Sequence, residues 1–183
     1  MSGITFPHTI KNTLGESITF KGLITENGTE KIILEASVAP GSGPAMHVHY
    51  KQDECLKVTK GKMGYQLLGQ EPQFINAGEE ILFPKGIPHR FWNATEEDLL
   101  LEGWVSPPNT FLFFLSTLYA AQAKSGRSQP DAFVGAYLLT RYRNEYDMLE
   151  IPGFVRKVIM PLTVFIGNLL GKYKAFKDAP EPV

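Results

Sequence analysis

Three histidines and one glutamate in the first half of the sequence have the residue types and spacing of a metal site. His47 and His49 are separated by a single residue, and Glu54 and His89 follow along the chain. Because side chains of an extended strand alternate between its two faces, His47 and His49 are expected on the same face. Imidazole nitrogens together with a carboxylate oxygen form a donor set that suits a divalent transition metal.

Glycines and a proline surround these four residues in two spaced motifs. The first reads G-x5-H-x-H-x4-E-x6-G from Gly41 to Gly61. The second reads G-x5-P-x-G-x2-H-x3-N from Gly78 to Asn93. Glycine and proline at these positions indicate strand ends and turns, so each motif places its ligands at the ends of strands.

In this pair of motifs the sequence resembles the cupins. Residues 17–105 are similar to a small cupin domain, with residues 62–77 as the segment between the motifs. The resemblance implies a conical antiparallel β-barrel and one bound metal ion. It also implies the metal ligands, which are His47, His49, Glu54 and His89.

Three imidazoles and one carboxylate leave one or two positions open on a six-coordinate ion, for water, dioxygen or a chelating substrate. Iron, manganese, nickel, copper and zinc all suit this donor set. We expect a metal-dependent enzyme of the dioxygenase or oxidoreductase type that acts on a small molecule. A Lewis-acid isomerase or decarboxylase, and a cupin that binds or senses a ligand without turnover, remain alternatives. The sequence identifies no catalytic acid or base.

Strand alternation also predicts which side chains accompany the ligands. With Glu54 facing inward, Cys55 faces outward and is interpreted as a packing thiol. Phe91 shares the inward face with His89. Phe91, Tyr65 and Phe83 are therefore candidates for substrate contact, with core packing as the alternative, and only Tyr65 among them has a polar group.

Composition narrows the functional classes. The net charge of −1 gives no electrostatic basis for nucleic-acid binding. Cys55 is the single cysteine, so no disulfide forms within the chain. The first fourteen residues contain no apolar stretch of the kind found in signal peptides, and a cytoplasmic location is expected.

The elements that position the site are mainly β. The sequence predicts strands at 17–25 and 31–38, joined by a hairpin at Asn27-Gly28, and five further short strands up to Val105. We therefore expect residues 1–106 to form an antiparallel jelly-roll barrel. The later predicted strands are 54–59, 63–68, 80–83, 89–92 and 98–105.

Residues 107–183 are predicted to form a helical extension that packs on the barrel or on a dimer partner. One helix is expected over 110–124, and a second from Pro130-Asp131 to about Asp147. A third spans 154–170, with a kink at Pro161. The polar tail 172–183 is expected to be poorly ordered.

The third helix contains an uncharged stretch at 158–171, with basic residues on both sides. Its length is too short to cross a membrane. Contact with a membrane surface is one interpretation. Packing on the barrel or in a homodimer interface is favoured, since lysines are common at helix ends in any case.

Overall fold

The computed structural model describes residues 4–183, and within them eleven strands form two antiparallel sheets. Most strands are short, as expected from the frequent glycines and prolines between them. The strands are β1 (His8–Lys11), β2 (Glu16–Glu26), β3 (Thr29–Val38), β4 (His47–His49), β5 (Asp53–Lys60), β6 (Lys62–Leu67), β7 (Gln73–Asn76), β8 (Glu80–Phe83), β9 (His89–Asn93), β10 (Leu99–Ser106) and β11 (Tyr146–Met148).

The larger sheet has the order β1-β2-β3-β10-β5-β8, and the smaller has the order β11-β4-β9-β6-β7. Strands that are distant in sequence, such as β3 and β10, are hydrogen-bonded neighbours. This arrangement is the predicted jelly roll. Within residues 4–183 the two sheets are not joined into one closed barrel, so the fold is a pair of sheets rather than a continuous cylinder.

The first hairpin confirms the turn predicted from Asn-Gly. Glu26 of β2 pairs with Thr29 of β3. Asn27 and Gly28 both have positive φ, at 50° and 77°. Two left-handed residues in a two-residue loop match the right-handed twist of the flanking strands, which explains the Asn-Gly signal.

The extension contains helices α1 (Phe111–Ser125) and α2 (Ala132–Arg141), a π-helical turn (Val155–Ile159), helix α3 (Met160–Leu169) and a 3-10 turn (Lys174–Phe176). Helix α1 ends where the sequence predicts, at left-handed Gly126. Asp131 caps α2 by accepting a hydrogen bond from the Phe133 N–H at 3.0 Å. Pro161, where the sequence predicts a kink, lies in the first turn of α3, directly after the change from π to α geometry. Proline is tolerated there because the first turn of a helix does not need its backbone N–H.

The second helix is shorter than the sequence predicts. It ends at Arg141 rather than near Asp147, and residues 146–148 form β11 instead. Strand β11 pairs with β4, with Tyr146 opposite His49 and Met148 opposite His47. The extension thus contributes a strand to the sheet that carries two predicted ligands. Pairing with an exposed sheet edge overrides local helix propensity here.

The tail is packed against the rest of the chain, so the expectation of poor order was wrong. Tyr173 is buried beneath helix α3. The Tyr142 hydroxyl donates to the Pro180 carbonyl at 2.8 Å, and the Val183 N–H donates to Glu145 Oε1 at 3.1 Å. Aromatic and backbone groups anchor this segment, although its composition is polar and contains prolines.

Candidate metal centre

The four predicted ligands converge from both sheets. Strands β4 and β9 of the smaller sheet carry three histidines, and His47 lies directly opposite His89. Glu54 comes from β5 of the larger sheet. One nitrogen or oxygen atom from each side chain lies within 4.8 Å of the corresponding atoms of the other three. The cluster therefore bridges the two sheets at one point.

A turn in the second motif is tied directly to the first. Gly86 adopts φ of 81°, a left-handed conformation that glycine takes without strain. Its N–H donates to the His49 carbonyl at 2.7 Å, and the Ile87 N–H closes the turn on the Pro84 carbonyl at 3.1 Å. The motif glycine and proline thus fix the chain that leads into His89 against the strand that carries His49.

Backbone carbonyls orient two of the imidazoles. Nδ1 of His47 lies 2.8 Å from the Ala45 carbonyl, and Nδ1 of His89 lies 2.9 Å from the Ile87 carbonyl. A carbonyl only accepts hydrogen bonds, so each Nδ1 carries the proton. In the neutral ring, Nε2 of each histidine then has a free lone pair, which is the arrangement that a metal-binding imidazole needs.

Burial sets the charge state of the cluster. It lowers the pKa of His47 to about 3, helped by the neighbouring His49 and His89, and lowers the pKa of His49 to about 4. Burial alone would raise the pKa of Glu54, but the hydrogen bond with His89 and the adjacent imidazoles bring it down to about 2. At neutral pH the cluster therefore contains neutral His47 and His49 beside an ionised carboxylate.

The short contacts between the imidazole nitrogens and the Glu54 carboxylate favour a bound cation. Nε2 of His89 lies 3.1 Å from Glu54 Oε2, and Nε2 of His49 lies 3.6 Å from the same oxygen. Because Nδ1 of His89 donates to the Ile87 carbonyl, the His89–Glu54 contact brings two acceptors together unless a proton or a metal ion lies between them. Nδ1 of His49 is buried and has no hydrogen-bond partner among residues 4–183. A divalent ion would satisfy all four side chains at once, so the donor set fits a metal site.

Aromatic rings cover the cluster on the side of β8. Phe83 stacks flat on His89, with ring centroids 4.1 Å apart and an interplanar angle of 1°. Tyr65 contacts Phe83 edge-on, and its hydroxyl donates to Gln73 Oε1 at 2.6 Å. Phe91 lies opposite Tyr65 on the neighbouring strand. All three predicted substrate candidates are buried, and Phe83 is the one in direct ring contact with a ligand.

Two aromatic residues of the extension also enclose the cluster, and the sequence reasoning missed them. The rings of Phe111 and Tyr146 lie 5.7 and 5.6 Å from the His49 ring, measured between centroids. Tyr146 reaches this position through β11, and Phe111 through the first turn of α1. The pairing of β11 with β4 spans about a hundred residues of sequence, and no local pattern predicts it.

A buried carboxylate links the extension to the segment between His49 and Glu54. Oε2 of Glu145 accepts hydrogen bonds from Gln52 Nε2 at 2.9 Å and from Thr110 Oγ1 at 3.0 Å. The Tyr146 hydroxyl lies in the same network, and burial raises its pKa far above the usual range, so it remains a donor. The network positions Tyr146 against His49.

Strand alternation explains the surroundings of Glu54. Leu56 and Val58 point into the core, and Lys57 is exposed. Cys55 is paired with Trp104 and Leu82 on the other face of the sheet and does not belong to the cluster. Burial raises the pKa of the Cys55 thiol, so it stays protonated and behaves as a packing residue.

The fold and the clustered ligands define a class of protein, and a family comparison gives the same class. Residues 34–105 match the family model described as "Cupin domain". The match includes all four clustered side chains, which lie between positions 47 and 89. This segment of the chain is therefore similar to a cupin domain, and its His/Glu cluster fits a metal site.

Two curated relatives carry oxidoreductase names. "Oxidoreductase iacF" of Pestalotiopsis fici is 29% identical over 136 residues, which is 69% of this chain and 65% of the relative. "Probable oxidoreductase virH" of Hypocrea virens is 35% identical over 68 residues, which is 36% of this chain and 31% of the relative. The chain thus spans less than two thirds of either relative's length.

Solved structures with similar folds are more distant. KdgF from a Halomonas species has a TM-score of 0.47 and 19% identity, over 57% of this chain and 92% of that chain. A Klebsiella pneumoniae protein with a double-stranded beta-helix domain has a TM-score of 0.42 and 22% identity, over 48% of this chain and 70% of that chain.

Proposed function

We propose that the chain is a metal-dependent oxidoreductase, of the dioxygenase type, that acts on a small organic molecule. The observation that carries the proposal is the cluster of three imidazoles and one carboxylate, with His49, Glu54 and His89 buried, His47 partly exposed, and donor atoms within 4.8 Å of one another. The oxidoreductase names of the two curated relatives favour redox chemistry over Lewis-acid isomerisation or decarboxylation.

The residues that would hold the metal are His47, His49, Glu54 and His89. A bound Fe(II) or Mn(II) ion would supply redox chemistry and open positions for dioxygen and for an oxygen donor of the substrate. The chain itself keeps Glu54 ionised and His47 and His49 neutral at neutral pH, so these groups are ready to bind without losing a proton.

The aromatic residues around the cluster determine what kind of substrate is suitable. Phe83, Phe111 and Tyr146 provide apolar surface and exclude water from the ligands. We propose that Tyr65, Phe83 and Phe91 form one wall of the substrate site. This lining suits a compact, largely apolar molecule with a phenol, enol or keto-acid group to bind the metal.

Reconstitution and oxygen uptake test the proposal. The purified chain is loaded anaerobically with iron, manganese, nickel, copper or zinc, and oxygen consumption is followed with a panel of phenols, enols and keto acids. We expect consumption with a redox-active metal, and none with zinc or with a His47→Ala/His49→Ala variant. Substrate turnover that is equally fast with zinc and without oxygen would instead establish Lewis-acid chemistry. Metal-dependent ligand binding without any product would establish a binding protein.

A further inference from the structure

The helical segment 154–170 has an exposed face that is almost entirely apolar. Ten of its residues are exposed, and only Lys157 and Asn168 among them are polar. The eight others expose on the order of 800 Å² of apolar surface, above the roughly 300–600 Å² of the largest patch on a typical monomer. They form the apolar face, which consists of Phe154, Val158, Ile159, Leu162, Phe165, Ile166, Leu169 and Leu170.

The apolar face is held outward by packing on the opposite side of the helix. Gly167 is buried, and a Cβ atom there would lie 2.5 Å from the Tyr173 hydroxyl oxygen. Tyr173 in turn packs against Tyr137 of α2, with ring centroids 4.9 Å apart. Because this close contact fixes which side of the helix faces α2, the apolar face cannot rotate inward, and it stays exposed.

The charged residues within the helical segment and on either side of it are basic. Residues 151–177 include five lysines and arginines and no acidic residue. Arg156 pairs with Asp147, and Lys177 lies 4.0 Å from Asp178. Lys157, Lys172 and Lys174 have no ion-pair partner within residues 4–183.

A groove beside the first turns of this helix is also lined mainly by basic residues. It has a volume of about 250 Å³, and the charged residues in its lining are Arg143, Asp147, Arg156 and Lys157. Three cations against one carboxylate favour an anionic group at this end of the apolar face. Basic groups thus lie at both ends of the helix, with apolar surface between them.

This charge distribution discriminates between two possible partners of the apolar face, a second copy of the chain and an anionic bilayer. In a symmetric pair of these helices, an antiparallel arrangement brings Lys157 of one copy towards Lys172 of the other. A parallel arrangement brings Lys157 of the two copies together. Both orientations place like charges opposite each other, which disfavours association. An anionic bilayer surface is complementary to the apolar face and to both basic ends.

We propose that the apolar face docks on an anionic lipid surface, with the helix parallel to the bilayer. The apolar side chains enter the boundary between headgroups and acyl chains, and the lysines meet anionic headgroups. No helix within residues 4–183 is both long and apolar enough to cross a membrane, so the helix lies on the surface.

Vesicle flotation of the full chain tests this proposal. Phosphatidylcholine vesicles with about one third phosphatidylglycerol should carry the protein, and pure phosphatidylcholine vesicles should bind it at least about a hundredfold more weakly. Phe165→Gln/Leu169→Gln should reduce partitioning to the anionic vesicles by at least about tenfold. The control is Leu68→Gln in the turn after β6, since Leu68 is 58% exposed, against 60% and 73% for Phe165 and Leu169.

A charge variant separates the two contributions. Lys157→Gln/Lys172→Gln should weaken binding to anionic vesicles by about twentyfold or more and leave the weak binding to neutral vesicles nearly unchanged. An unchanged thermal unfolding midpoint for each variant shows that the fold is intact.

Two results would overturn the proposal. One is the absence of flotation with anionic vesicles, or flotation that Phe165→Gln/Leu169→Gln leaves unchanged. The other is a dimer in sedimentation analysis that the same double variant dissociates, together with no vesicle binding, which would assign the apolar face to a second copy.

Discussion

The jelly roll and the helical segment 154–170 distribute polar and apolar side chains in opposite ways. The jelly roll gathers three imidazoles and a carboxylate among aromatic rings and buries all of them except His47, which is partly exposed, whereas the helix exposes eight large apolar residues. Each arrangement is unfavourable unless a further group is bound, because buried polar atoms need partners and exposed apolar surface is poorly solvated. Each region thus has the features expected of a site for a specific partner, a metal ion in one case and a lipid surface in the other.

The two regions also differ in how they are held in place. The ligand cluster is surrounded by both sheets and by two aromatic residues of the extension. The helix is packed on one side only, against α2 and Tyr173. Substitutions near the cluster should therefore affect both stability and metal binding, whereas substitutions on the apolar face should affect partner binding alone.

The largest expected effect comes from removing two ligands. His47→Ala/His49→Ala should reduce the metal content from about one equivalent to near zero, with affinity lowered at least about a hundredfold, because half of the donor set is lost. Elemental analysis after dialysis measures this. His8→Ala is the control, since the His8 ring stacks near Phe20 outside the cluster, and it should retain the metal. Equal metal content in both variants would argue against the assigned ligands.

Removing Glu145 should have the next largest effect. In Glu145→Ala the donors of Gln52, Thr110 and Val183 lose a buried acceptor, and we expect the free energy of unfolding to fall by about 3 kcal/mol. Urea unfolding measures the loss. Glu102→Ala, at an exposed position of β10, should cost less than about 0.5 kcal/mol. Similar losses in the two variants would show that the network does not hold the extension against the ligand strand.

Acid should destabilise the metal-free protein through the cluster. The folded state keeps His47 and His49 neutral, with pKa values of about 3 and 4, whereas the unfolded chain binds protons at these residues below about pH 6.5. Stability is therefore lost as the pH falls, by about 2 kcal/mol between pH 6.5 and about 5.5 if both residues contribute fully. Urea midpoints across this range measure the slope.

The same titration on His47→Ala/His49→Ala provides the comparison. Without these two imidazoles the slope should become markedly shallower. A slope that is identical in the two proteins would place the pH dependence elsewhere in the molecule. Added metal should raise the urea midpoint of the wild-type protein at every pH in this range and leave the slope unchanged, because the folded histidines are already neutral there.

Local signals account for the parts of the molecule that the sequence predicts well. Asn27-Gly28 specifies its hairpin through two left-handed residues, and Gly126 ends α1 for the same reason. The inward direction of Phe91 follows from strand alternation with His89. In each case the physical cause lies within a few residues of the feature, so the feature can be predicted from the sequence alone.

The parts that the sequence did not predict depend on contacts between distant segments. Residues 146–148 become a strand because the edge of β4 is available for pairing, and the tail is ordered because Tyr142 and Glu145 bind it. The apolar face was expected to be covered by packing, and only the fold shows that α2 covers the opposite side. Tertiary contacts determine these features, and neither amino-acid composition nor the periodicity of apolar residues predicts them.

The smallest expected effect concerns Tyr65, the one substrate candidate with a polar group. Its hydroxyl donates to Gln73 and makes no contact with the ligand cluster, so Tyr65→Phe should lower the free energy of unfolding by about 1 kcal/mol. A double-mutant cycle with Gln73→Ala should show the two losses to be non-additive. Metal content should stay at the wild-type level, because Phe83 still packs on His89. If Tyr65→Phe instead raised KM for an accepted substrate without changing stability, the hydroxyl would belong to the substrate site rather than to the support of the aromatic wall.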